Sequence, residues 1–352
     1  MSKIKVGLVG VGNCASAMVQ GVQYYRDTER QDDCIGLRHL YLGGYHPRDI
    51  ELVSAFDIAS SKVGKDLSEA IFMPPNNAVK FADVPKLGVE VSKGPVLDGV
   101  SDFMKDLVKI DGSPQVNVAR CLKESGSEMV VNLLPGGAQK ASTWYAEEAL
   151  KAECAFINAT PILIASNDAW SKRFERTGLP VVGDDLMDQA GATVIHKILL
   201  KTLSERGIRV SETYQLDVGG GLESLETLGR ARELKRTIKT KTVETVLPYK
   251  ASITAGSTDY VDFLGNRRDS YFWLSGLYFG RAPIRLDIKL STADAQNAGS
   301  VMLDVIRGVK IALDRKETGY ILAISTYAFK HPMNMLPLEE ADRLFEEFIR
   351  GK

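Results

Sequence analysis

Lys3-Ile-Lys-Val-Gly-Leu-Val-Gly-Val-Gly-Asn-Cys-Ala-Ser-Ala17 opens the chain, and its pattern decides the fold. The mostly apolar run Ile4 to Val9 predicts a buried strand, and Gly10-x-Gly12-x-x-Ala15 follows it at the start of an apolar helical stretch, Ala17 to Val22. This is a dinucleotide-binding turn. Gly10 permits the tight strand-to-helix turn, Gly12 keeps a Cβ out of the path of a pyrophosphate, and small Ala15 lets helix and strand pack closely. The helix N-terminus, with Asn13 and Cys14 in its first turn, offers unpaired N–H groups and a positive dipole end to phosphates.

Working outward, a polar insertion from Tyr24 to Asp49 precedes a second apolar run, Glu51 to Asp57. An acid closing the second strand holds a ribose 2′-hydroxyl and repels a 2′-phosphate, so Asp57 favours NAD over NADP. The insertion roughly doubles the usual spacing of about 20 residues from the glycines. Ser60, Ser61 and Lys62 follow and could take a phosphate instead.

Ser113-Pro114 predicts a helix start ahead of Val116, Val118, Ala119 and Leu122. Strands are expected at Met129 to Asn132, before Leu133-Leu-Pro135, at Ala155 to Asn158, before Ala159-Thr160, and at Leu179 to Asp185, with helices between them. That alternation predicts a parallel sheet covered on both faces. Polar tips fall at strand carboxyl ends, where such sheets bind ligands, so Asn132, Asn158, Asp184 and Asp185 are expected to ring one crevice with the Gly10 turn.

From about Gly207 the pattern changes. Val210 to Val218, Tyr260 to Leu264, Ser270 to Phe279 and Pro283 to Leu290 read as strands, and alternation such as Ile284-Arg-Leu-Asp-Ile-Lys-Leu290 predicts an antiparallel sheet with one polar face. Helical periodicity returns at Ala298 to Leu313, and an amphipathic helix is expected from Leu338 to Ile349. The expected fold class is α/β: a doubly wound Rossmann domain over 1–205, an α+β catalytic and oligomerisation domain with a mostly antiparallel sheet over 206–297, and a return of 298–352 to the first domain.

Composition narrows the partners. The 352 residues hold 44 Lys plus Arg against 45 Asp plus Glu, so no global field draws the chain to nucleic acid or membrane. The four cysteines form no CxxC pair, and His39, His46, His196 and His331 do not pair at ligand spacing, so no metal site is expected. No secretory leader pattern precedes the first strand and no apolar run is long enough for a bilayer, which places the protein in the cytoplasm.

At Gly183-Asp-Asp-Leu-Met-Asp-Gln-Ala-Gly-Ala-Thr193 the sequence becomes specific. With Val9-Gly-Val-Gly-Asn-Cys-Ala-Ser16, Phe56-Asp57, Asn158-Ala-Thr-Pro161, Val218-Gly-Gly-Gly-Leu-Glu223 and Ile311-Ala-Leu-Asp-Arg315, it resembles the short bacterial and archaeal myo-inositol-1-phosphate synthases, collinearly from the first strand to Lys330. The resemblance implies a redox-neutral isomerase that oxidises C5 of glucose 6-phosphate with tightly held NAD, joins C6 to C1, and reduces the ring ketone again. It also implies a homotetramer built through the second sheet, and leaves room for a monovalent or divalent cation near the phosphate.

By motif, the resemblance places catalytic lysines at Lys235, Lys239 and Lys330 and an acid at Asp294. The turn Gln189-Ala190-Gly191-Ala192-Thr193, opening a helix, suits the substrate phosphate. Lys235 and Lys239, at i and i+4, share one helical face in a run where Arg230, Arg232, Arg236 and Lys241 meet a lone Glu233. Three segments depart from the family pattern: Met187-Asp188 replaces Lys-Ser, Gly219-Gly-Gly-Leu-Glu223 replaces Gly-Gly-Asn-x-Asp, and Arg268 replaces a lysine. An arginine stabilises an oxyanion but does not readily release a proton. Three other readings therefore stay open: a related cyclase acting on another sugar phosphate such as fructose 6-phosphate, a net NAD-dependent dehydrogenase, and a non-catalytic NAD-binding regulator.

Overall fold

Apolar on both faces, the run Ile4 to Val9 forms β1, a central strand of a seven-stranded parallel sheet. The computed structural model describes residues 2–351. After β1 (Ile4–Val9) come α1 (Asn13–Tyr24), β2 (Ile50–Asp57), the single turn α2 (Leu67–Ala70), β3 (Val91–Lys93), α3 (Val118–Glu124) and β4 (Met129–Asn132). The chain continues through α4 (Gln139–Ala152), β5 (Ala155–Asn158), α5 (Asp168–Arg176), β6 (Pro180–Gly183) and α6 (Ala192–Glu205). The later elements are β7 (Arg209–Gly219), α7 (Leu222–Glu226), α8 (Arg232–Glu244), β8 (Ser252–Tyr260), β9 (Arg267–Leu277) and β10 (Pro283–Ala293), then α9 (Asp294–Asp314), β11 (Gly319–Tyr320), α10 (Leu322–Ala328) and α11 (Leu338–Arg350).

The first sheet runs β11-β6-β5-β4-β1-β2-β3, so its order reverses between β1 and β4. Ligands bind outside the strand carboxyl ends at such a reversal. After β10 the chain runs back over this sheet: α9 packs on α1, and β11 pairs with β6. The approach is close because Gly299 faces Ala17, where an added Cβ would stand 3.0 Å from the alanine Cβ.

The second sheet runs β10-β9-β7-β8 and is mixed, two antiparallel pairings and one parallel. The parallel pair, β7 with β8, is joined through α7 and α8, the helical crossover that parallel strands need. One face carries Phe272 and Leu274 onto α6 and α8, while Tyr214 stacks on Trp273 on the other, a half-open aromatic face beside Tyr271.

Two local expectations change. The strand placed at Tyr260 to Leu264 lies earlier, at Ser252–Tyr260, and Asp262–Leu264 form one 3-10 turn. Ala255 and Gly256 are too small to read as a packed strand, yet that smallness lets α8 lie against them, an added Cβ at Gly256 meeting Arg236 Cβ at 3.4 Å. Ser113-Pro114 does not start a helix. Asp111 accepts the Ser113 N–H at 2.8 Å, Val116 still bonds to the edge of β3, and Asn117 caps α3 instead. The second sheet is mostly antiparallel, as expected, with β8 alone pairing in parallel.

Candidate active site

A cavity of about 290 Å³ opens where the carboxyl ends of the first sheet meet α7, α8 and β9. Gly10, Gly12, Asn13 and Cys14 form one wall, with Asp57, Pro135 and Thr160 beside them. Asp185, Glu223, Lys235, Arg268, Asp294 and Lys330 form the other.

The glycine turn fits a dinucleotide. Gly10 adopts φ +85°, and an added Cβ there would strike the Leu133 carbonyl oxygen at 3.0 Å. At Gly12 an added Cβ meets nothing within 4 Å, so the space over the turn is open, and no side chain caps the first turn of α1. Ala15 is fully buried and serves packing alone. The Asp57 carboxylate is held by the N–H groups of Val11 at 2.8 Å, Ile58 at 2.7 Å and Ala59 at 2.9 Å. Lys62 does not face outward as a phosphate ligand. Its ammonium is buried, donating to the Val11 carbonyl at 2.8 Å and to Asn76 Oδ1 at 2.9 Å, and burial pulls its pKa down.

Asn132, Asn158 and Asp184 do not line the crevice. All three are fully buried at the strand ends and bond to one another, Asn132 Nδ2 to Asn158 Oδ1 at 2.9 Å and Asn158 Nδ2 to Asp184 Oδ1 at 2.7 Å. Asp184 also accepts the N–H groups of Ile164, Ala165 and Ser166, each at 3.0 Å, and the Ser166 hydroxyl at 2.7 Å. Short strands side by side bring these tips within reach of each other before any ligand. They brace the wall from behind.

The charged wall is different. α8 turns its face so that Lys235 and Lys239 are buried while Arg232, Arg236 and Lys241 stay in solvent. Lys235 pairs with Glu223, and Arg268 bridges Glu223 and Asp294 at 2.9 Å each. Lys239 pairs with Asp217 at 2.6 Å. Lys330 donates to the Leu186 carbonyl at 2.7 Å and stands 3.9 Å from Asp185 and 3.8 Å from Asp188.

Electrostatics separates the two α8 lysines. Burial pushes both ammonium pKa values down. At Lys235 the Glu223 and Asp185 carboxylates outweigh burial and the pKa rises. At Lys239 burial wins over Asp217, helped by Arg268, Lys330 and Lys235, and the pKa falls. Asp294 is pushed up, first by burial, against the pull of Arg268. Arg268 itself is held firmly charged, since Asp294 and Glu223 overcome its burial.

A narrow cleft beside the main cavity is lined by Gly191, Ala192 and Thr193 at the N-terminus of α6 and by Lys239, Arg268 and Lys330 opposite. No side chain caps α6, whose N-cap is Gly191, so its first N–H groups face this small space together with the three cations and the carboxylates of Asp188, Asp217 and Asp294 that pair with them. Gln189 and Ala190 lie outside it: Gln189 Nε2 donates to the Gly36 carbonyl at 3.0 Å, and the Ala190 N–H goes to Asn297 Oδ1 at 2.7 Å. The turn therefore offers its later half to a ligand.

Sequence reasoning missed Asp217, Asn76, Asn77 and Asn266. For Asp217 a signal existed: Thr213, Gln215 and Asp217 alternate along β7 on its buried face, an inverted pattern that marks polar partners inside.

The profile of the family described as myo-inositol-1-phosphate synthase matches residues 191–295. An inositol-3-phosphate synthase of Mycolicibacterium smegmatis is 42% identical over 357 residues, covering 99% of this chain and 98% of that protein. One from Corynebacterium glutamicum is 39% identical, covering 99% of this chain and 98% of that protein. Among solved structures, Ari2 superposes with a TM-score of 0.82 at 29% identity, covering 99% of both chains. A myo-inositol-1-phosphate synthase-related protein of Thermotoga maritima shares the fold, with a TM-score of 0.75 at 22% identity over 99% of this chain and 98% of that one.

Proposed function

The chain belongs to the myo-inositol-1-phosphate synthase family, and we propose that it cyclises glucose 6-phosphate to myo-inositol 1-phosphate without net redox change. The observation that carries this reading is the placement of three buried lysines: Lys235 and Lys330 line the cavity that holds the open dinucleotide turn, and Lys239 lines the adjoining cleft that Lys330 also borders. A plain dehydrogenase has no use for three such lysines. When bound, NAD⁺ supplies the hydride acceptor for C5 and the donor that restores the hydroxyl there.

The chain's own residues divide the remaining work. The α6 N-terminus with Lys330 holds the phosphate on the C6 oxygen, where helix N–H groups and cations favour a dianion. Lys239 lines that same cleft, so it lies at the C6 end of the sugar, and its lowered pKa suits it to take the C6 proton and pass it on. Lys235 lines the main cavity with the glycine turn, its stem against Gly136 in the loop after β4, and stays charged. Its role is to stabilise negative charge on the C5 oxygen. Arg268 and Asp294 fix Glu223 and through it Lys235, so the arginine contributes charge and position while proton transfer rests with the lysines.

In this reading residues 1–205 and 298–352 hold the cofactor, and 206–297 supply most of the catalytic cations. The half-open aromatic face of Tyr214, Tyr271 and Trp273 supports assembly as a homotetramer through the second sheet. Asp57, fixed by three N–H groups at the end of β2, supports NAD as the dinucleotide.

A related carbocycle from fructose 6-phosphate is the second reading, favoured by the Arg268 and Glu223 departures. Incubation of either sugar phosphate with substoichiometric NAD⁺, followed by phosphorus NMR and by absorbance of NADH, tests both. An inositol phosphate from glucose 6-phosphate without accumulating NADH is expected. Conversion of the added NAD⁺ to NADH with no inositol phosphate formed, or a carbocycle from fructose 6-phosphate alone, would overturn the proposal.

A further inference from the structure

Asn77 lies outside both sheets, on the loop that leaves α2, yet it touches three separate parts of the molecule. At the cofactor turn, Asn13 Oδ1 accepts the N–H groups of Asn77 at 2.8 Å and Ala78 at 2.9 Å. Two backbone donors fix the orientation of that amide, so Asn13 Nδ2 must donate, and it does, to Asn77 Oδ1 at 2.8 Å. The direction then propagates. Asn77 Nδ2 donates to the Gly220 carbonyl at 3.3 Å, and Asn77 Oδ1 accepts from Asn266 Nδ2 at 3.3 Å. Asn266 spends its own oxygens on the start of α9, its carbonyl accepting the Asp294 N–H and its Oδ1 the Ala295 N–H, both at 2.9 Å.

A continuous chain of amides thus runs from the first residue of α1, over the dinucleotide turn, to Asp294 and its partner Arg268 in the catalytic wall. Lys62 and Asn76 tie the same loop to the turn at a second point, both donating to the Val11 carbonyl, at 2.8 and 2.9 Å. The Gly219-Gly-Gly221 turn fits against this chain. An added Cβ at Gly221 would stand 3.6 Å from Asn13 Nδ2 and 3.8 Å from Asn266 Nδ2, so Gly221 faces the same two asparagines. With glycine there, Asn77 is the side chain that bridges them.

We propose that Asn77 is a positioning residue that links the two ligand sites: it transmits the ordering of the cofactor turn to the Asp294–Arg268 wall, so that the dinucleotide and the sugar phosphate strengthen each other's binding. This rests on the functional reading above, which supplies the two ligands. The physical basis is shared ordering, since a chain fixed at one end by the first ligand need not be fixed again for the second.

The test uses NADH with glucitol 6-phosphate, a pair that cannot react because the alcohol has no carbonyl to reduce. NADH fluorescence is titrated with and without the sugar alcohol phosphate. In the unaltered protein the phosphate should tighten NADH by about tenfold, within the usual range of coupling between sites. Asn77→Ala should bring that factor below about threefold, and Asn266→Ala, at the far end of the chain, should do the same. A residue that merely supports the fold would lower the Tm or both affinities and leave their ratio alone. Retention of the full factor in Asn77→Ala, or no coupling in the unaltered protein, overturns the inference while NADH still binds. Failure of NADH to bind the unaltered protein would instead overturn the functional reading and the inference with it.

Discussion

Two groups of buried polar residues sit within the same fold and do opposite things. Asn132, Asn158 and Asp184 close on each other and on backbone N–H groups, and nothing in them faces the cavity. Lys235, Lys239 and Lys330 are buried too, and Arg268 is nearly so, but they are cations with donors to spare that line the cavity or its side cleft. A buried polar group whose valences are all met is structure. One held charged beside open space is chemistry, and the same low-dielectric surroundings that make it expensive to bury strengthen its action on a developing charge.

The comparison breaks most easily at Lys239. Lys239→Met should reduce cyclisation by about a thousandfold or more, the scale of lost general acid–base catalysis, while NADH still binds. Because Asp217 would be left buried without its partner, this variant should also lose about 3–5 kcal/mol of stability. The double variant Lys239→Met with Asp217→Leu should recover much of that stability and none of the turnover, as read by chemical denaturation alongside a product assay. Turnover recovering together with stability would show that Lys239 is a brace as well.

Asp184→Asn probes the other group. Its amide would face N–H donors of Ile164, Ala165 and Ser166, at about 1–3 kcal/mol for each donor left unpaired. Denaturation midpoints should fall sharply, while kcat per folded molecule stays within about threefold, since no bond to a ligand is lost. A large loss of kcat in the folded fraction would place Asp184 in the site.

Gly12→Ala sharpens the boundary between the two. The added methyl meets no protein atom within 4 Å, so the Tm should not move. It would project into the space over the turn, and NADH affinity should fall by about tenfold or more, a loss of about 1.4 kcal/mol. Unchanged affinity would mean that the pyrophosphate does not cross that turn.

The smallest expected effect concerns His39, which sits between Asp304 at 3.4 Å and Glu346 at 2.8 Å where the polar insertion meets α9 and α11. Burial pushes its pKa down, but Asp304 and Glu346 push it up further, so it is raised overall. A raised folded pKa means that its stabilisation is complete below the unfolded value of about 6.5 and is lost as pH rises through the folded value. Thermal melts should therefore decline as pH rises through and above 6.5, and His39→Gln should flatten that decline by about 2 °C. An unchanged slope would remove His39 from the linkage.

The sequence announced five strands of the first sheet and its glycine turn plainly, because four-to-eight-residue apolar runs ending in Gly, Asn or Asp repeat a single local rule, whereas β3 and β11 at the two edges are too short to carry it. It was silent where position depends on partners far away. Asn132, Asn158 and Asp184 looked like ligand-facing tips, since periodicity places a residue at a strand end but does not say that neighbouring tips will bond to each other. Lys235 and Lys239 shared a face on spacing alone, yet only the resemblance separated them from Arg236 and Lys241. Asn77 carried no pattern at all, because its meaning comes from contacts with Asn13 and with Asn266, 189 positions away.

The central claim is that the dinucleotide turn holds a cofactor reduced and reoxidised within one turnover, beside lysines that form the ring in between. Glucose 6-phosphate deuterated at C5, incubated with the protein preloaded with NAD⁺ and with unlabelled NADH added to the solution, tests it most directly through mass spectrometry of the product. The account predicts an inositol phosphate that retains its deuterium. A product from which the label has been lost to the NADH pool would contradict it.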